Sequence, residues 1–315
     1  MIVYIALLII GFIILIKGAD IFVDGASSVA GNFKVSKMLI GLTIVAFGTS
    51  APEFAVSVKS LLSHHGDMVL GNVIGSNILN IVLILGCAAM VHSLNVKNAT
   101  VKKELPITML ITALFAVLLS DSLFDRVPNA FTRGDGVVLL LFFLVYMYYL
   151  FTMIRKKTEE ESNEETMPMS KAAIYTVLGL IGIVLGSNFV VDSASEIARF
   201  FGVSQRMISL TIIALGTSLP ELVTSVAATR KGEYDIAIGN VVGSNIFNIG
   251  MVIGIPVVMI GGIGRIAFSY IDLAVMLLAS VLLFVFSYKN YKLTKTHGAI
   301  FLLLFIIYYS YVILS

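Results

Sequence analysis

Ten long apolar stretches constrain this chain more than any other feature of its sequence. They cover residues 2–24, 38–62, 68–91, 105–120, 134–154, 172–196, 207–229, 236–262, 268–287 and 298–314. Such stretches are typical of helices that cross a membrane. Only 13% of the residues are charged, about half the share found in soluble domains. The sequence therefore predicts an all-α polytopic membrane protein with ten transmembrane helices, numbered helix 1 to helix 10.

The chain also contains an internal repeat with an offset of 168 residues. Residues 41–86 and 209–254 share 22 identities over 46 positions, and these include Thr, Ser, Pro, Glu and Asn. Because each half has five helices, the second half must enter the membrane from the opposite side, as in the inverted repeats of many transporters. We predict a first repeat over 1–154, a polar linker over 155–170 and a second, inverted repeat over 171–315. The linker is expected to be solvated, with an acidic regulatory tether as the alternative.

Basic residues indicate the orientation. The N-terminal segment lacks the basic region of a secretory signal, so we expect it to be retained as the first membrane helix. With both termini outside, the cytoplasmic loops hold fourteen Lys and Arg residues and the opposite loops six. Because basic residues favour cytoplasmic loops, we expect a multi-pass protein of the cell membrane with both termini extracellular or periplasmic.

Two acidic residues interrupt the apolar stretches at matching positions. Glu53 lies in "GTSAPE" and Glu221 in "GTSLPE". A carboxylate at the bilayer centre costs at least about 2.5–3.5 kcal/mol, so it is expected to face protein, water or an ion. A structural, protonated glutamate is the alternative, but two symmetric copies beside Pro and hydroxyl groups favour an ion site.

Each motif also contains a helix-breaking proline. Pro52 and Pro220 lack an N–H group, which leaves the carbonyl groups of Gly48 and Gly216 without their helical partners. Freed carbonyl groups are tolerated at membrane depth where they line a cavity or meet a ligand. We therefore expect broken helices 2, 3, 7 and 8 to form an ion-binding core.

A second pair of motifs, "GSNILN" and "GSNIFN", adds hydroxyl and amide oxygen atoms in helices 3 and 8. Together the four motifs offer only oxygen ligands, which suit Ca²⁺ and Na⁺ and argue against zinc, copper or iron. Two glutamates carry the charge that neutralises one Ca²⁺, and they would also support two or three Na⁺. Competition for shared ligands is a physical basis for exchange.

Other residues of the two halves have structural interpretations. Asn77 and Asn245 are expected to tie helices together, and Asn72 and Asn240 to be caps or turn residues. The glycines of helices 1 and 6 provide smooth faces for close packing or sliding; they are Gly11, Gly18, Gly25, Gly179, Gly182 and Gly186.

The paired "GTSAPE"/"GTSLPE" and "GNVIGSNILN"/"GNVVGSNIFN" motifs resemble the two alpha repeats of the prokaryotic sodium/calcium exchangers, in the Ca²⁺/cation antiporter superfamily. The resemblance spans all ten predicted helices. It implies a monomer-sized transport unit in which helices 2, 3, 7 and 8 bind the ions and helices 1 and 6 slide across them.

The resemblance also implies a set of ion ligands. Those for Ca²⁺ would be Glu53, Glu221 and, chiefly through backbone carbonyls, Thr49 and Thr217. Sodium would bind Ser50, Ser218, Ser76, Ser244 and the carbonyl groups of Ala46 and Ala214, and Asn80 and Asn248 would complete the centre.

We therefore expect an antiporter that drives Ca²⁺ out of the cell with the inward Na⁺ gradient. A Ca²⁺/H⁺ or K⁺-dependent Na⁺/Ca²⁺ antiporter is the nearest alternative. Potassium-dependent relatives carry Asp where this chain has Asn248, which disfavours K⁺ transport. A Ca²⁺ channel and an intramembrane enzyme are weaker alternatives. The expected partners are Ca²⁺, Na⁺ and the lipid bilayer; no cofactor, nucleic acid or obligate protein partner is indicated.

Overall fold

The computed structural model describes residues 1–124, 128–154, 166–203, 205–266 and 268–314 and is almost entirely helical. The first half contains α1 (Ile2–Phe33), α2 (Lys37–Ile40), α3 (Ala46–Thr49), α4 (Ala51–Leu62), α5 (Gly66–Leu79), α6 (Gly86–Val91), α7 (Asn98–Lys102), α8 (Glu104–Leu118), α9 (Asp121–Phe124) and α10 (Arg133–Ile154). The second contains α11 (Met169–Phe200), α12 (Gln205–Ile208), α13 (Ala214–Thr217), α14 (Leu219–Arg230), α15 (Tyr234–Phe247), α16 (Gly254–Met259), α17 (Tyr270–Asn290) and α18 (Lys295–Leu314). The predicted linker lies mostly outside the described residues.

Within the described residues, seven helices are long and apolar enough to cross a membrane, or nine if two bent pairs each count as one span. This confirms a multi-pass helical membrane protein. The predicted helix 4 corresponds to α8, which has 15 residues. At about 1.5 Å per residue, α8 is about 22 Å long, shorter than a hydrocarbon core of about 30 Å.

The two bent pairs are the predicted helices 2 and 7. One joins Lys37–Thr49 to Ala51–Leu62 at an angle of 43°, and the other joins Thr211–Thr217 to Leu219–Arg230 at 54°. Each bend falls one or two residues before the proline of the motif. The sequence therefore located both breaks.

Helices 3 and 8 differ from the prediction because neither is broken. Each runs as one span, Gly66–Val91 and Tyr234–Met259. Each passes through a π-helical segment, Asn80–Leu85 or Asn248–Ile253, that starts at the second asparagine of its motif. A π-helical turn shifts the hydrogen-bond pattern without ending the helix, so these spans keep their direction.

The same two spans form the centre of the protein. Their apolar stretches are 78% and 89% buried, whereas those of α1 and α11 are 22% and 28% buried. Polar motifs placed on the central spans are therefore shielded from lipid by the surrounding helices.

Close packing of α1 along α11 confirms the expected smooth glycine faces. A Cβ atom at Gly179 would lie 2.5 Å from the backbone nitrogen of Phe22, and one at Gly186 would lie 2.5 Å from that of Leu15. These distances are below any ordinary contact, so the two backbones approach each other only because the side chains are absent.

In the described part of the chain, four two-residue strands that the sequence did not predict connect the loops. β1 (Leu94–Asn95) pairs antiparallel with β4 (Lys292–Leu293), with Leu94 opposite Leu293. β2 (Ala130–Phe131) pairs antiparallel with β3 (Gly264–Arg265), with Ala130 opposite Arg265. Each pair joins a loop of the first half to a loop of the second, so the two halves are tied together at both ends of the bundle.

Polar contacts also join α1 to the connection between α14 and α15. Lys231 forms an ion pair of 2.6 Å with Asp24. Glu233 pairs with Lys37 at 3.0 Å and accepts a hydrogen bond of 2.8 Å from the Ser27 hydroxyl. The halves are therefore also linked by charge at this face.

Candidate ion-binding site

The site begins at the two helix breaks. Ser50 and Ser218 lie between the halves of each bent pair, with φ and ψ near −82° and 3° and near −89° and 3°. Because Pro52 and Pro220 fall in the first turn of α4 and α14, where a missing N–H is harmless, each helix restarts there. Glu53 and Glu221 follow in the same turn and are both only 1% exposed.

The Gly216 carbonyl group, which we expected to be freed for an ion, has a protein partner. It accepts a hydrogen bond of 3.1 Å from the Ser187 hydroxyl of α11. Pro220 therefore does free the Gly216 carbonyl for a new contact. The partner is a side chain of α11 instead of an ion, and the contact holds α11 against the bent helix.

Asn72 and Asn240 are not caps or turn residues, which corrects the prediction. The Asn72 amide donates hydrogen bonds of 3.1 Å to the Glu53 carbonyl and 3.1 Å to the Ser57 hydroxyl. The Asn240 amide donates in the same way to the Glu221 carbonyl at 3.3 Å and to the Ser225 hydroxyl at 3.0 Å.

Asn72 therefore connects α5 to the first turn of α4, and Asn240 connects α15 to the first turn of α14. The contacts made in one half recur 168 positions later in the other. Placement in the middle of α5 and α15, not near their starts, distinguishes this role from a cap. In both halves the asparagine follows the glutamate by 19 residues. This equal spacing was the feature of the sequence that could have indicated the contact.

Hydrogen bonds between the halves join six of the twelve predicted site residues to a residue of the other half. The Ser50 hydroxyl donates to Oε1 of Glu221 at 3.2 Å, and the Ser244 hydroxyl lies 3.5 Å from the same atom. Ser244 is also 3.5 Å from the Ala46 carbonyl oxygen. The motifs of α3, α14 and α15 therefore share one buried centre.

Three further contacts between the halves extend this centre. The Thr49 hydroxyl donates to the Asn240 side-chain oxygen at 3.0 Å. The Asn80 amide donates to the Asn245 side-chain oxygen at 2.9 Å, and the Asn245 amide reaches the Asn77 carbonyl at 3.4 Å. Asn245 thus ties α15 to α5 as predicted, whereas the Asn77 amide bonds to Val73 in its own helix.

The buried centre contains many oxygen atoms without a hydrogen-bond partner among the described residues. They include both carboxylate oxygens of Glu53, Oε2 of Glu221, the Ser218 hydroxyl, and the side-chain oxygens of Asn80 and Asn248. Each unpartnered buried polar group costs roughly 1–3 kcal/mol, and a charged one costs more. A set of unpartnered oxygens around two carboxylates is what a bound cation would satisfy.

The two halves of the site differ in exposure. Thr49 and Ala46 are completely buried. Their counterparts differ, since Thr217 is partly exposed and Ala214 is exposed. The Thr217 hydroxyl lies 3.3 Å from the Ala214 carbonyl oxygen. The centre is therefore closed on the side of α3 and more open on the side of α13.

No group of three or more His, Cys, Asp or Glu side chains comes together in the described part of the chain. Among these four residue types, no third side chain of the described residues therefore joins Glu53 and Glu221. The remaining polar atoms of the centre are hydroxyl, amide and carbonyl groups. Hydroxyl, amide, carbonyl and carboxylate oxygens are the ligands preferred by Ca²⁺ and other hard cations.

Comparison with known proteins identifies the family. The family model described as "Sodium/calcium exchanger protein" matches residues 3–152 and 171–314. The chain belongs to this family. The two matched stretches fall on either side of the polar linker, and together they include every candidate ligand.

Individual relatives are similar over almost the whole chain. CaxA of Alkalimonas amylolytica is 39% identical over 310 residues, covering 97% of both chains. The sodium/calcium exchanger MaX1 of Methanosarcina acetivorans is 31% identical over 334 residues, covering 95% of both. The solved structure of the sodium-calcium exchanger NCX_Mj, soaked with Na⁺ and Ca²⁺, matches with a TM-score of 0.85 and 32% identity, covering 98% of this chain and 97% of the other.

Proposed function

We propose that this family member is a secondary active antiporter that exchanges Na⁺ for Ca²⁺ at one shared site. The observation that carries the proposal is the buried carboxylate pair. Glu53 and Glu221 come from two copies of one motif and are both 1% exposed. Three of their four carboxylate oxygens have no hydrogen-bond partner among the described residues. Such a pair is costly to bury and becomes favourable when a cation binds between the two groups.

The proposed Ca²⁺ ligands are Glu53 and Glu221 with the backbone carbonyls of Thr49 and Thr217. Ca²⁺ takes six to eight oxygens in flexible geometry. The proposed Na⁺ ligands are the hydroxyls of Ser50, Ser218, Ser76 and Ser244 and the carbonyls of Ala46 and Ala214, and Asn80 and Asn248 complete the centre. Because Ser50 and Ser244 both lie beside Glu221, the two ions would compete for the same charge.

Alternating access requires a site that opens to one side at a time. We propose ten helices arranged as inverted repeats over 1–154 and 171–315, joined by the linker 155–170. The buried Ala46 and Thr49 and the more exposed Ala214 and Thr217 support a conformation open toward the start of helix 7 and the end of helix 10. With both termini outside the cell membrane, this side is extracellular or periplasmic.

The net charge moved in each transport cycle sets the favoured direction of Ca²⁺ transport. Exchange of three Na⁺ for one Ca²⁺ moves one net charge, which is worth about 2.3 kcal/mol per 100 mV of membrane potential. A negative interior would then favour Na⁺ influx and Ca²⁺ extrusion. We further propose that the monomer is the transport unit and that it works without a cofactor or enzymatic activity.

A K⁺-dependent cycle is the second candidate. The human sodium/potassium/calcium exchanger 1 is 35% identical over 156 residues, although this covers 46% of this chain and 14% of that protein. The neutral Asn248, fully buried with both side-chain polar atoms unpartnered, favours the K⁺-independent cycle because it adds no charge for another cation.

Uptake of ⁴⁵Ca²⁺ into proteoliposomes separates these cycles. Vesicles loaded with Na⁺ or buffered at low pH are diluted into Na⁺-free buffer that contains K⁺ or choline, and uptake is followed with and without valinomycin, which imposes a K⁺ diffusion potential. Without valinomycin, the K⁺-independent cycle predicts equal uptake in K⁺ and in choline. We expect uptake only from Na⁺-loaded vesicles and acceleration by an inside-positive potential. Uptake driven by the pH gradient and indifferent to Na⁺ would contradict the proposal.

A further inference from the structure

A third buried carboxylate lies outside the candidate ion-binding site. Glu104, in the first turn of α8, is 1% exposed. Its Oε1 accepts a hydrogen bond from the Tyr149 hydroxyl of α10. Its Oε2 is buried and has no partner among the described residues. Leaving one oxygen of a buried carboxylate unsatisfied is costly, so this atom points to a ligand.

Glu104 lines a cavity of about 290 Å³ at one face of the helix bundle. Ser36 and Met38 at the start of α2, Thr100 on α7 and Met153 near the end of α10 line the same cavity. Ligand cavities for small molecules begin at about 300 Å³, so the space suits a group of a few heavy atoms. Because α2 and α8 begin and α10 ends there, the cavity lies at a membrane interface.

Two lysines of the cavity lining provide charge of the opposite sign. Lys97 and Lys103 are both exposed. The Lys97 side chain is 47% exposed and pairs with Asp235 at 2.7 Å. The cavity thus has its carboxylate buried inside and its ammonium groups near the solvent.

This charge arrangement discriminates between ligand classes. A lone inorganic cation would be repelled by the nearby ammonium group of Lys103, while the charge of Lys97 is already balanced by Asp235. A lone anion would meet the Glu104 carboxylate. A zwitterion with a terminal ammonium group and an adjacent phosphate complements the cavity: its ammonium group faces the buried carboxylate and its phosphate faces the lysine near the solvent.

We propose that this cavity binds the headgroup of a membrane phospholipid that carries a primary ammonium group. The ammonium donates a hydrogen bond to Oε2 of Glu104, and the phosphate lies toward Lys103. Neighbouring apolar side chains of α10 are exposed, with Tyr148 at 70% and Ile154 at 49%, and they offer a surface for an acyl chain. The membrane itself is therefore the source of the ligand.

Native mass spectrometry of the purified full chain tests this assignment. Detergent-solubilised protein is mixed with equal amounts of phosphatidylethanolamine, phosphatidylcholine and phosphatidylglycerol that share the same acyl chains. We expect phosphatidylethanolamine to be retained about tenfold more than phosphatidylcholine, whose quaternary ammonium has no N–H to donate. Equal retention of these two lipids by the wild-type protein would overturn the proposal, and this comparison needs no variant.

The variant Glu104→Gln is expected to reduce the preference for phosphatidylethanolamine about tenfold because the charge-assisted hydrogen bond is lost. The matched control is Glu233→Gln, which removes a carboxylate that pairs with Lys37 elsewhere on the molecule; its lipid preference should stay unchanged. An unchanged preference in Glu104→Gln would refute the role of this carboxylate. Soluble phosphoethanolamine that competes as well as the lipid would refute the membrane source.

Discussion

Replacing Glu53 by glutamine should raise the stability of the ion-free protein and remove its stabilisation by Ca²⁺. Both carboxylate oxygens of Glu53 are buried and unpartnered. An unpaired buried charge costs several kcal/mol even after relaxation, whereas a buried amide that lacks partners costs roughly 1–3 kcal/mol. The substitution therefore removes an energetic penalty from the ion-free protein and stabilises it. It also removes half of the negative charge that is available to bind Ca²⁺.

The expected magnitudes follow from these terms. The free energy of unfolding of the ion-free variant should rise by about 1–3 kcal/mol, because the larger penalty for a buried charge is replaced by the smaller penalty for a buried amide. Ca²⁺ binding should raise the free energy of unfolding of the wild type by about 2.7 kcal/mol at a Ca²⁺ concentration 100 times the Kd. Since 1 kcal/mol shifts the midpoint by about 2–4 °C in domains of 150–250 residues, each effect amounts to a few degrees.

The single cysteine provides the assay. The chain has no tryptophan and only one cysteine, Cys87 in α6, which is partly buried. A maleimide that fluoresces on reaction with a thiol reports unfolding as Cys87 becomes accessible. Midpoints are compared for wild type and Glu53→Gln, with a chelator and with saturating Ca²⁺, in Na⁺-free buffer at one heating rate.

Glu233→Gln is the matched control. Glu233 has an ion pair and a hydrogen bond, so its replacement should lower the midpoint and leave the Ca²⁺ shift intact. The reasoning is refuted if Glu53→Gln lowers the ion-free midpoint as this control does, or if it keeps the full Ca²⁺ shift. Glu221→Gln should show a smaller gain without ions, because Glu221 already accepts hydrogen bonds from Ser50 and Ser244.

Three further substitutions test separate parts of the structure. Asn240→Ala should reduce Na⁺-driven ⁴⁵Ca²⁺ uptake more than Asn72→Ala, because it removes three hydrogen bonds instead of two; equal losses would contradict this. Gly179→Ala should destabilise the protein by about 1–3 kcal/mol through overpacking, whereas Gly71→Ala, with nothing within 4 Å, should not lower the midpoint. Asn248→Asp should lower the Kd for Ca²⁺ at least about tenfold in Na⁺-free titrations, since a third carboxylate adds attraction; an unchanged Kd would place residue 248 outside the site.

The bent helices and their carboxylates could be predicted because their causes are local. Pro52 and Pro220 each remove a backbone N–H group from a long apolar stretch, and Glu53 and Glu221 stand out against the apolar residues around them. The glycine faces of α1 and α11 were visible for the same reason, since spacing alone places glycines on one side of a helix.

Features that depend on tertiary contacts could not be predicted. The π-helical segments at Asn80 and Asn248 change hydrogen bonding without changing the apolar pattern. The contact between Ser187 and the Gly216 carbonyl depends on how α11 packs, and the cavity beside Glu104 requires four helices to meet. Asn72 and Asn240 were misassigned because an asparagine resembles a cap until its distance from the helix start is known.

Binding of ⁴⁵Ca²⁺ to the purified protein at increasing Na⁺ concentrations tests the shared site most directly. Scintillation proximity measures the apparent Kd for Ca²⁺ at each Na⁺ concentration, with choline replacing Na⁺ to keep the ionic strength constant. If both ions use the carboxylates of Glu53 and Glu221, the apparent Kd should rise without limit and more steeply than in proportion to Na⁺, because several Na⁺ displace one Ca²⁺. A Kd that is unchanged by Na⁺, or that reaches a plateau, would show that the two ions occupy separate sites.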